Sequence, residues 1–185
     1  MTEIEIRALT ADDVEAYWSC RLEALERDPT AFSSSVEDHL KLSRDEIRRR
    51  LAADPANNFV MGAFADGKLV GTAGFARETQ PKMRHKGRIW GVYLKAEIRG
   101  KGVGRRLMQA VLDRATKIQG VEQILISVAT TQAAAVALYR SLGFTTWGEE
   151  SRALKVGDRY IDEEYMILPL PRTADPSSGW KPSSG

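Results

Sequence analysis

The chain has 185 residues, of which 43% are hydrophobic and 28% are charged, and these proportions are ordinary for one globular domain. Its 27 basic and 25 acidic residues leave a formal net charge of +2, which is too small to favour a nucleic-acid partner. Cys20 is the only cysteine, so no disulfide can form within the chain and we expect a packing role for it. No apolar run is long enough to span a membrane, and residues 1–5 do not resemble a signal peptide. We therefore expect a cytoplasmic protein without a membrane partner.

The first part of the chain predicts one strand and two helices. Residues 3–7 alternate between polar and apolar types, which favours a half-buried strand. A helix with one apolar face follows and is expected to end at the Asp28-Pro29 break. The next segment is polar and predicts a loop or a short irregular helix. Ser43 then opens a second helix, in which the arginine run 48–50 is expected to face solvent.

The second part alternates strands with helices. Asp66-Gly67 separates two apolar runs and predicts a hairpin turn. Gly120 and Gly143 are expected to follow the ends of two helices. The first of these helices joins two strands, which we therefore expect to be parallel. The predicted strands are residues 59–65, 68–77, 88–94, 123–129, 144–155 and 159–168, and the predicted helices are residues 102–120 and 132–142.

This order of elements predicts an α/β fold with a mixed central sheet and helices on both faces. We expect one domain over residues 1–170. Residues 171–185 are rich in Pro, Ser and Gly and are expected to form a flexible tail.

The strongest functional pattern lies between residues 90 and 108. An apolar strand enters a loop that contains Gly100, Gly102 and Gly104, and the loop opens directly into a helix. Glycines let the backbone approach a bulky ligand closely. The first amides of a helix are unpaired and lie at the positive end of its dipole. The pattern therefore predicts a phosphate-binding loop.

Two nucleotide-binding motifs fit the chain poorly. The dinucleotide fingerprint requires a glycine where this chain has Arg105. A Walker A loop around Gly67 would require a hydroxyl for magnesium where this chain has Leu69.

The spacing Arg99-x-x-Gly102-x-Gly104 resembles the acetyl-CoA loop of the GCN5-related N-acetyltransferase (GNAT) family. A second segment, Ala135-x-x-Leu138-Tyr139-x-x-x-Gly143-Phe144, resembles a later helix of that family and the strand after it. Both segments occur in the family's order, and the resemblance covers roughly residues 3 to 170. It implies a GNAT fold, with about seven strands in a mixed sheet that splays between strands 4 and 5.

The resemblance implies that acetyl-CoA is the acetyl donor and that no metal takes part. Main-chain groups of the strand before the loop would pair with the pantetheine arm, and the loop would hold the pyrophosphate. Gln132 stands where the family often has an asparagine that bonds the CoA arm. Tyr139 matches a tyrosine near the CoA sulfur, where it would protonate the leaving thiolate. The expected CoA-binding residues are Val92, Tyr93, Leu94, Arg99, Gly100, Lys101, Gly102, Val103, Gly104, Arg105, Gln132 and Tyr139.

The general base stays open at this stage. Many family members carry a glutamate where this chain has Arg88 or Ser127. Glu78 and His85, near the start of the same strand, are the nearest alternatives, and Glu37 is a third. Histidine is a common general base, but a surface histidine between Arg84 and Lys86 is the favoured interpretation of His85. A chain of water molecules leading to solvent is a further alternative.

The family resemblance also implies that the region between the first two helices forms a wall of the acceptor pocket. The expected acceptor-binding residues are Phe32, Ser33 and Glu37, together with Trp90 on the strand before the glycine loop. The expected reaction is acetyl transfer to a primary amine of a small molecule, by direct attack in a ternary complex. Acetylation of a protein or peptide, and acyl-CoA binding without turnover, are the alternatives. A homodimer is also expected from the family.

Overall fold

The computed structural model describes residues 3–171. Apart from Pro171, the tail that the sequence predicts at 171–185 lies outside the described residues. Within residues 3–171, no helix is long and apolar enough to cross a lipid bilayer.

Between residues 3 and 171, seven strands form one sheet in the order β1-β2-β3-β4-β5-β7-β6. Neighbouring strands pair antiparallel except β4 and β5, which pair parallel and are connected by a helix. The predicted mixed sheet is therefore confirmed. The strands are β1 Ile4–Ala8, β2 Asn58–Ala65, β3 Lys68–Arg77, β4 Lys86–Leu94, β5 Gln123–Ala129, β6 Thr145–Val156 and β7 Arg159–Pro169.

In the described part of the chain, five α-helices accompany the sheet, and side-chain caps fix where two of them begin. The Ser35 and Ser43 side chains each accept a bond from an amide of the first helical turn. The helix after the glycine loop was predicted to end near Gly120, which is wrong. It ends at Ala115, because the Lys117 and Ile118 amides bond to carbonyls three residues back in a tightened turn. The helices are α1 Val14–Arg27, α2 Val36–Leu40, α3 Arg44–Ala52, α4 Val103–Ala115 and α5 Ala133–Ser141.

The two faces of the sheet carry separate apolar clusters. Along β2, Phe59 and Met61 belong to the larger cluster, which also contains the buried face of α4, whereas Val60 belongs to a smaller cluster with α1. This division follows from the alternation of side chains along a strand. Cys20 is buried in the smaller cluster, where burial raises the pKa of its thiol to about 11. Its expected packing role agrees with this position.

The parallel strands β4 and β5 separate soon after they begin. Their pairing covers only Lys86–Gln123, Gly87–Ile124 and Arg88–Leu125. Beyond this point β5 remains paired with β7 along its whole length, so it follows β7 away from β4. The resulting gap between β4 and β5 confirms the predicted splay between strands 4 and 5.

Candidate active site

A β-bulge distorts β4 beside the gap. Thr72 of β3 lies opposite Tyr93, and Gly74 lies opposite Trp90, so two residues of β4 share one position on β3. One of the two is Gly91, with a φ of 61°, a left-handed conformation that glycine adopts without steric cost. The Thr72 hydroxyl donates to the Gly91 carbonyl at 3.2 Å and helps to hold the bulge. The bulge therefore changes the direction of the β4 main chain where the gap is open.

The edge of β4 that faces the gap has no strand partner from Ile89 to Leu94 within the described sheet. Unpaired N–H and C=O groups along a strand edge can pair with an extended ligand as an added strand would. This edge can therefore bind a long, narrow molecule through main-chain hydrogen bonds.

The glycine loop lies between β4 and α4 and is open to solvent on its outer side. Gly100 has a φ of 74° and Gly102 a φ of 76°, and a Cβ added at either residue would meet no atom within 4 Å. Gly102 is the N-cap of α4 and supplies no side-chain cap. Among the described residues, the amides of 103–105 have no backbone acceptor, because the first helical bond joins the Arg106 amide to the Gly102 carbonyl. The loop therefore presents unpaired donors to an anion.

Three arginines of this region are bonded to protein groups. Arg99 donates to the Leu94 carbonyl at 2.8 Å and pairs with Asp28, the residue that follows α1. Arg105 donates to the Ser141 hydroxyl at the end of α5, at 2.9 Å. Arg106 donates to a carbonyl of β1. Among the loop's cations, only the exposed Lys101 makes no side-chain hydrogen bond or ion pair with the rest of residues 3–171. The Arg99 and Arg105 side chains thus support the loop's shape.

The N-terminus of α4 is enclosed by β4 and α5. A Cβ added at Gly104 would lie 3.3 Å from Leu94 and 3.4 Å from Leu138. A larger residue at this position would therefore require these two side chains to move slightly. On α5, Tyr139 is only 4% exposed, and its ring packs against Phe144 at 6.1 Å between centroids. Burial raises the pKa of Tyr139, so its hydroxyl remains protonated. No group in the described part of the chain is hydrogen-bonded to that hydroxyl.

Gln132 lies at the other side of the gap. It is the N-cap of α5, three residues after the end of β5, and its amide donates to the Ala129 carbonyl at 2.9 Å. Its side chain makes no cap bond. Gln132 therefore stands on the β5 side of the gap with its carboxamide uncommitted to the helix.

The two leading sequence candidates for the general base lie at the closed end of the gap. The His85 carbonyl accepts a bond from the Glu122 amide immediately before the paired part of β4. Glu78 forms a half-exposed ion pair with Arg88 at 3.6 Å. Since a strand rises about 3.3 Å per residue, the start of β4 is about 17 Å from Gly91. His85 thus precedes β4 at the end away from the bulge, while the Glu78 carboxylate is held by Arg88, three residues before Gly91.

A cavity of about 420 Å³ lies between helices α1–α3 and the sheet. Of the predicted acceptor-binding residues, Trp90 lines it, and its indole lies against Gly74, where an added Cβ would be 2.4 Å from the ring. Phe32 does not line the cavity, but its ring contacts Arg21, which does. Ser33 and Glu37 are exposed and do not line it.

Sequence reasoning missed several polar residues of this cavity. Tyr17 and Arg21 of α1, His39 of α2 and Arg50 of α3 all line it. A signal was present for Arg21, because it is spaced by four residues from both Tyr17 and Leu25, on the predicted apolar face of α1. A charged residue on such a face is unusual and marks a position to examine.

His39 is buried and uncharged. Its Nε2 lies 3.0 Å from the Trp18 carbonyl, and because a carbonyl can only accept, Nε2 carries the proton. Burial, assisted by the charges of Arg21 and Arg44, holds the pKa of His39 below its usual value despite this hydrogen bond.

Within residues 3–171, no group of three His, Cys, Asp or Glu side chains is suited to hold a metal ion.

Comparison with known proteins agrees with these features. A family model described as the acetyltransferase (GNAT) family matches residues 18–144. An L-methionine sulfoximine/L-methionine sulfone acetyltransferase of Pseudomonas aeruginosa is 31% identical over 115 residues, which are 62% of this chain and 66% of that protein. The N-alpha-acetyltransferase RimI of Mycobacterium tuberculosis is 39% identical over 108 residues, which are 58% of this chain and 64% of that protein. The match thus spans slightly less than two thirds of each relative's length.

Solved structures give the same result for the fold. An acetyltransferase of the GNAT family from Streptococcus pneumoniae has a TM-score of 0.81 at 22% identity, covering 91% of this chain and 100% of that chain. The yncA protein of Salmonella typhimurium, solved with its cofactor acetyl-CoA, has a TM-score of 0.77 at 22% identity, covering 96% of this chain and 99% of that chain. The fold is therefore that of these proteins, and because the family model spans more than half of the sequence, the chain belongs to the GNAT acetyltransferase family.

Proposed function

We propose that the protein transfers an acetyl group from acetyl-CoA to a primary amine of a small molecule, by direct attack in a ternary complex. The observation that carries this proposal is the gap between β4 and β5, whose unpaired β4 edge leads into the glycine loop. These two features fit the two halves of CoA, since one offers main-chain pairing and the other offers amides for phosphate. Acetyl-CoA supplies an activated thioester for the transfer.

Different residues of the chain would bind the pantetheine arm and the pyrophosphate of acetyl-CoA. Main-chain groups of 92–94 would pair with the pantetheine arm along the open edge, and Gln132 would bond it from the β5 side. The amides of the glycine loop, with Lys101 and the backbone of Arg99, would hold the pyrophosphate. The side chains of Arg99 and Arg105 keep the loop in shape through their bonds to Asp28 and Ser141.

In the transfer step the amine nitrogen forms a bond to the acetyl carbonyl carbon, and the bond between that carbon and sulfur breaks. A main-chain N–H of β4 near Val92 would stabilise the negative charge that develops on the carbonyl oxygen. Tyr139 would donate its proton to the departing sulfur and recover one from solvent. Burial raises the pKa of Tyr139, so its hydroxyl carries the proton that this role requires.

We propose that the amine loses its proton to water rather than directly to a side chain of the closed end. Glu78 is paired with Arg88, and His85 precedes the paired part of β4, about 17 Å along the strand from the bulge. Glu37 is exposed on α2 and stays a prediction.

The cavity favours a small acceptor over a protein. Its volume of about 420 Å³ is within the range of small-molecule sites, roughly 300 to 1,000 Å³. The Pseudomonas relative is named for acetylation of methionine sulfoximine and methionine sulfone, which are small molecules. RimI is named as an N-alpha-acetyltransferase, so peptide acetylation is the second candidate.

Release of free thiol from acetyl-CoA tests the proposal. Purified protein is incubated with amines, amino acids, polyamines, aminoglycosides and short peptides, and the acetylated product is identified by mass. We expect thiol release above the amine-free rate with at least one small amine. Turnover of peptides alone would favour the second candidate, peptide acetylation. Tight CoA binding by calorimetry with no turnover would identify an acyl-CoA-binding module, and absence of CoA binding would overturn the donor as well.

A further inference from the structure

Arg21 presents a buried guanidinium nitrogen that has no partner. Its Nη1 is shielded from solvent and makes no hydrogen bond among the described residues. Its guanidinium carbon lies 4.5 Å from the centre of the Phe32 ring, which satisfies none of its N–H donors. Burial lowers the pKa of Arg21, but an arginine in a protein still keeps its charge. A buried charge without a counter-charge is costly unless a ligand supplies one.

Several arginines near Arg21 are paired with carboxylates, whereas Arg21 is not. Arg27, on the same helix, pairs with Glu23 at 3.5 Å. Arg44 of α3 pairs with Glu15 at 3.2 Å, and Arg99 pairs with Asp28. No carboxylate within residues 3–171 forms such a pair with Arg21. The described helices thus provide carboxylate partners for these three arginines but none for the two arginines of the cavity, Arg21 and Arg50.

The unpartnered nitrogen lies beside the bulge. A Cβ added at Gly91 would be 3.6 Å from Nη1 of Arg21, so the guanidinium reaches the part of β4 where the acetyl group would lie. Tyr17 and Arg50 also line the cavity, and the positive charges of Arg21 and Arg50 both act on the Tyr17 phenol. These three side chains supply donors and positive charge to one end of the cavity.

The cavity contains little negative charge of its own. Asp38 is the only carboxylate among its lining residues, and it accepts from Ser35 at the start of α2 and pairs with Lys41 at 3.6 Å. His39 is neutral and its Nε2–H is directed at a carbonyl. The remaining surface is mainly apolar and includes Leu51 and Trp90.

We propose that the acceptor is an α-amino acid with an apolar side chain, and that Arg21 binds its carboxylate, assisted by Tyr17 and Arg50. This inference rests on the proposed acetyltransferase function and names the substrate class of the same site. A planar guanidinium matches a carboxylate through paired hydrogen bonds. Because Arg21 lies so close to the bulge, the amine and the carboxylate of the acceptor must be close together, as they are in an α-amino acid. The apolar walls would hold the side chain.

The test compares matched acceptors. Leucine, methionine and phenylalanine are assayed beside their carboxamides and their decarboxylated amines, with thiol release as the readout. For wild-type protein we expect kcat/KM for at least one amino acid to exceed that for its amide and its amine by 100-fold or more. Arg21→Gln should remove most of this preference, lowering kcat/KM for the amino acid about 100-fold while changing the amide less than threefold. Arg27→Gln, on the same helix, should leave the preference intact.

Stability distinguishes a binding role from a structural one. Without acceptor, Arg21→Met removes a partly buried charge that has no carboxylate partner, so we expect its melting temperature to equal or exceed that of the wild type. Lower stability together with equal losses for all acceptors would overturn the inference.

The outcomes also separate this inference from the proposed function. If amides and simple amines are acetylated as well as amino acids, or if only acceptors without a carboxylate are acetylated, the inference fails and the acetyltransferase function stands. If no amine of any class releases thiol, the proposed function fails, and the inference fails with it.

Discussion

At the scale of single residues, Tyr139 carries the clearest chemical prediction. Its side chain is buried and its hydroxyl makes no hydrogen bond to the described chain, so removing the hydroxyl should cost little stability. We expect Tyr139→Phe to lower kcat about 100-fold, in the range of general-acid contributions, while the Kd for CoA changes less than twofold. Tyr160→Phe is the control, because this tyrosine is half exposed on β7. Unchanged turnover in Tyr139→Phe would remove the proposed proton donor.

His39 makes folding stability depend on pH. Its pKa in the folded protein is held below the ordinary value near 6.5, chiefly by burial, so the unfolded chain binds more protons as pH falls past that value. Stability from this group is therefore complete above the unfolded pKa and is lost as pH falls. We expect the melting temperature of wild-type protein to fall more between pH 7 and pH 5 than that of His39→Gln. Parallel curves for the two proteins would contradict this account.

Arg21 and His39 also show what the sequence cannot supply at this scale. The spacing of Arg21 placed it on the apolar face of α1. Spacing does not reveal whether a carboxylate of another helix lies close enough to form an ion pair with it. For His39 the decisive contact is a carbonyl on a different helix, at Trp18. Such pairings depend on distant parts of the chain, so only the folded arrangement reveals them.

At the scale of elements, the glycine loop predicts separate effects on stability and binding. Gly102→Ala places a side chain on a residue with a left-handed backbone conformation, which lowers the free energy of unfolding by about 1–2 kcal/mol. Gly67 in the β2–β3 turn has the same φ of 76° and an equally open Cβ position. We expect Gly67→Ala to lose similar stability without changing the Kd for CoA, and Gly102→Ala to weaken CoA binding more than tenfold. Equal affinities in calorimetry would mean that the loop does not bind the donor.

Local sequence patterns predicted many elements correctly. They failed where hydrogen bonds or pairing with a neighbouring strand determine the structure. Strands 68–77 and 123–129 have the predicted bounds, because apolar runs ended by turn residues identify them. The end of α4 was placed five residues too late, at 120 instead of 115, because apolar spacing continues beyond the last helical bond. The bulge at Gly91 was not predicted, since it exists only in the register between β3 and β4. The gap was expected from family resemblance and not from any local signal.

At the scale of the whole molecule, the homodimer stays a prediction. β6 is the last strand of the described sheet, and it carries Trp147, which is 62% exposed. If the C-terminal strands form the interface, sedimentation at micromolar concentration should give the mass of two chains. Trp147→Glu should then shift the mass towards one chain. A wild-type mass of one chain would contradict the prediction.

The site as a whole depends on acetyl-CoA lying in the gap between β4 and β5, and hydrogen exchange with and without acetyl-CoA tests this most directly. We expect the ligand to slow amide exchange in peptides that cover residues 89–105, where the open β4 edge joins the glycine loop. Peptides from β1 and from the β6–β7 hairpin should be unchanged. Protection confined to another part of the chain, or no protection at saturating acetyl-CoA, would contradict the placement of the donor on which the account rests.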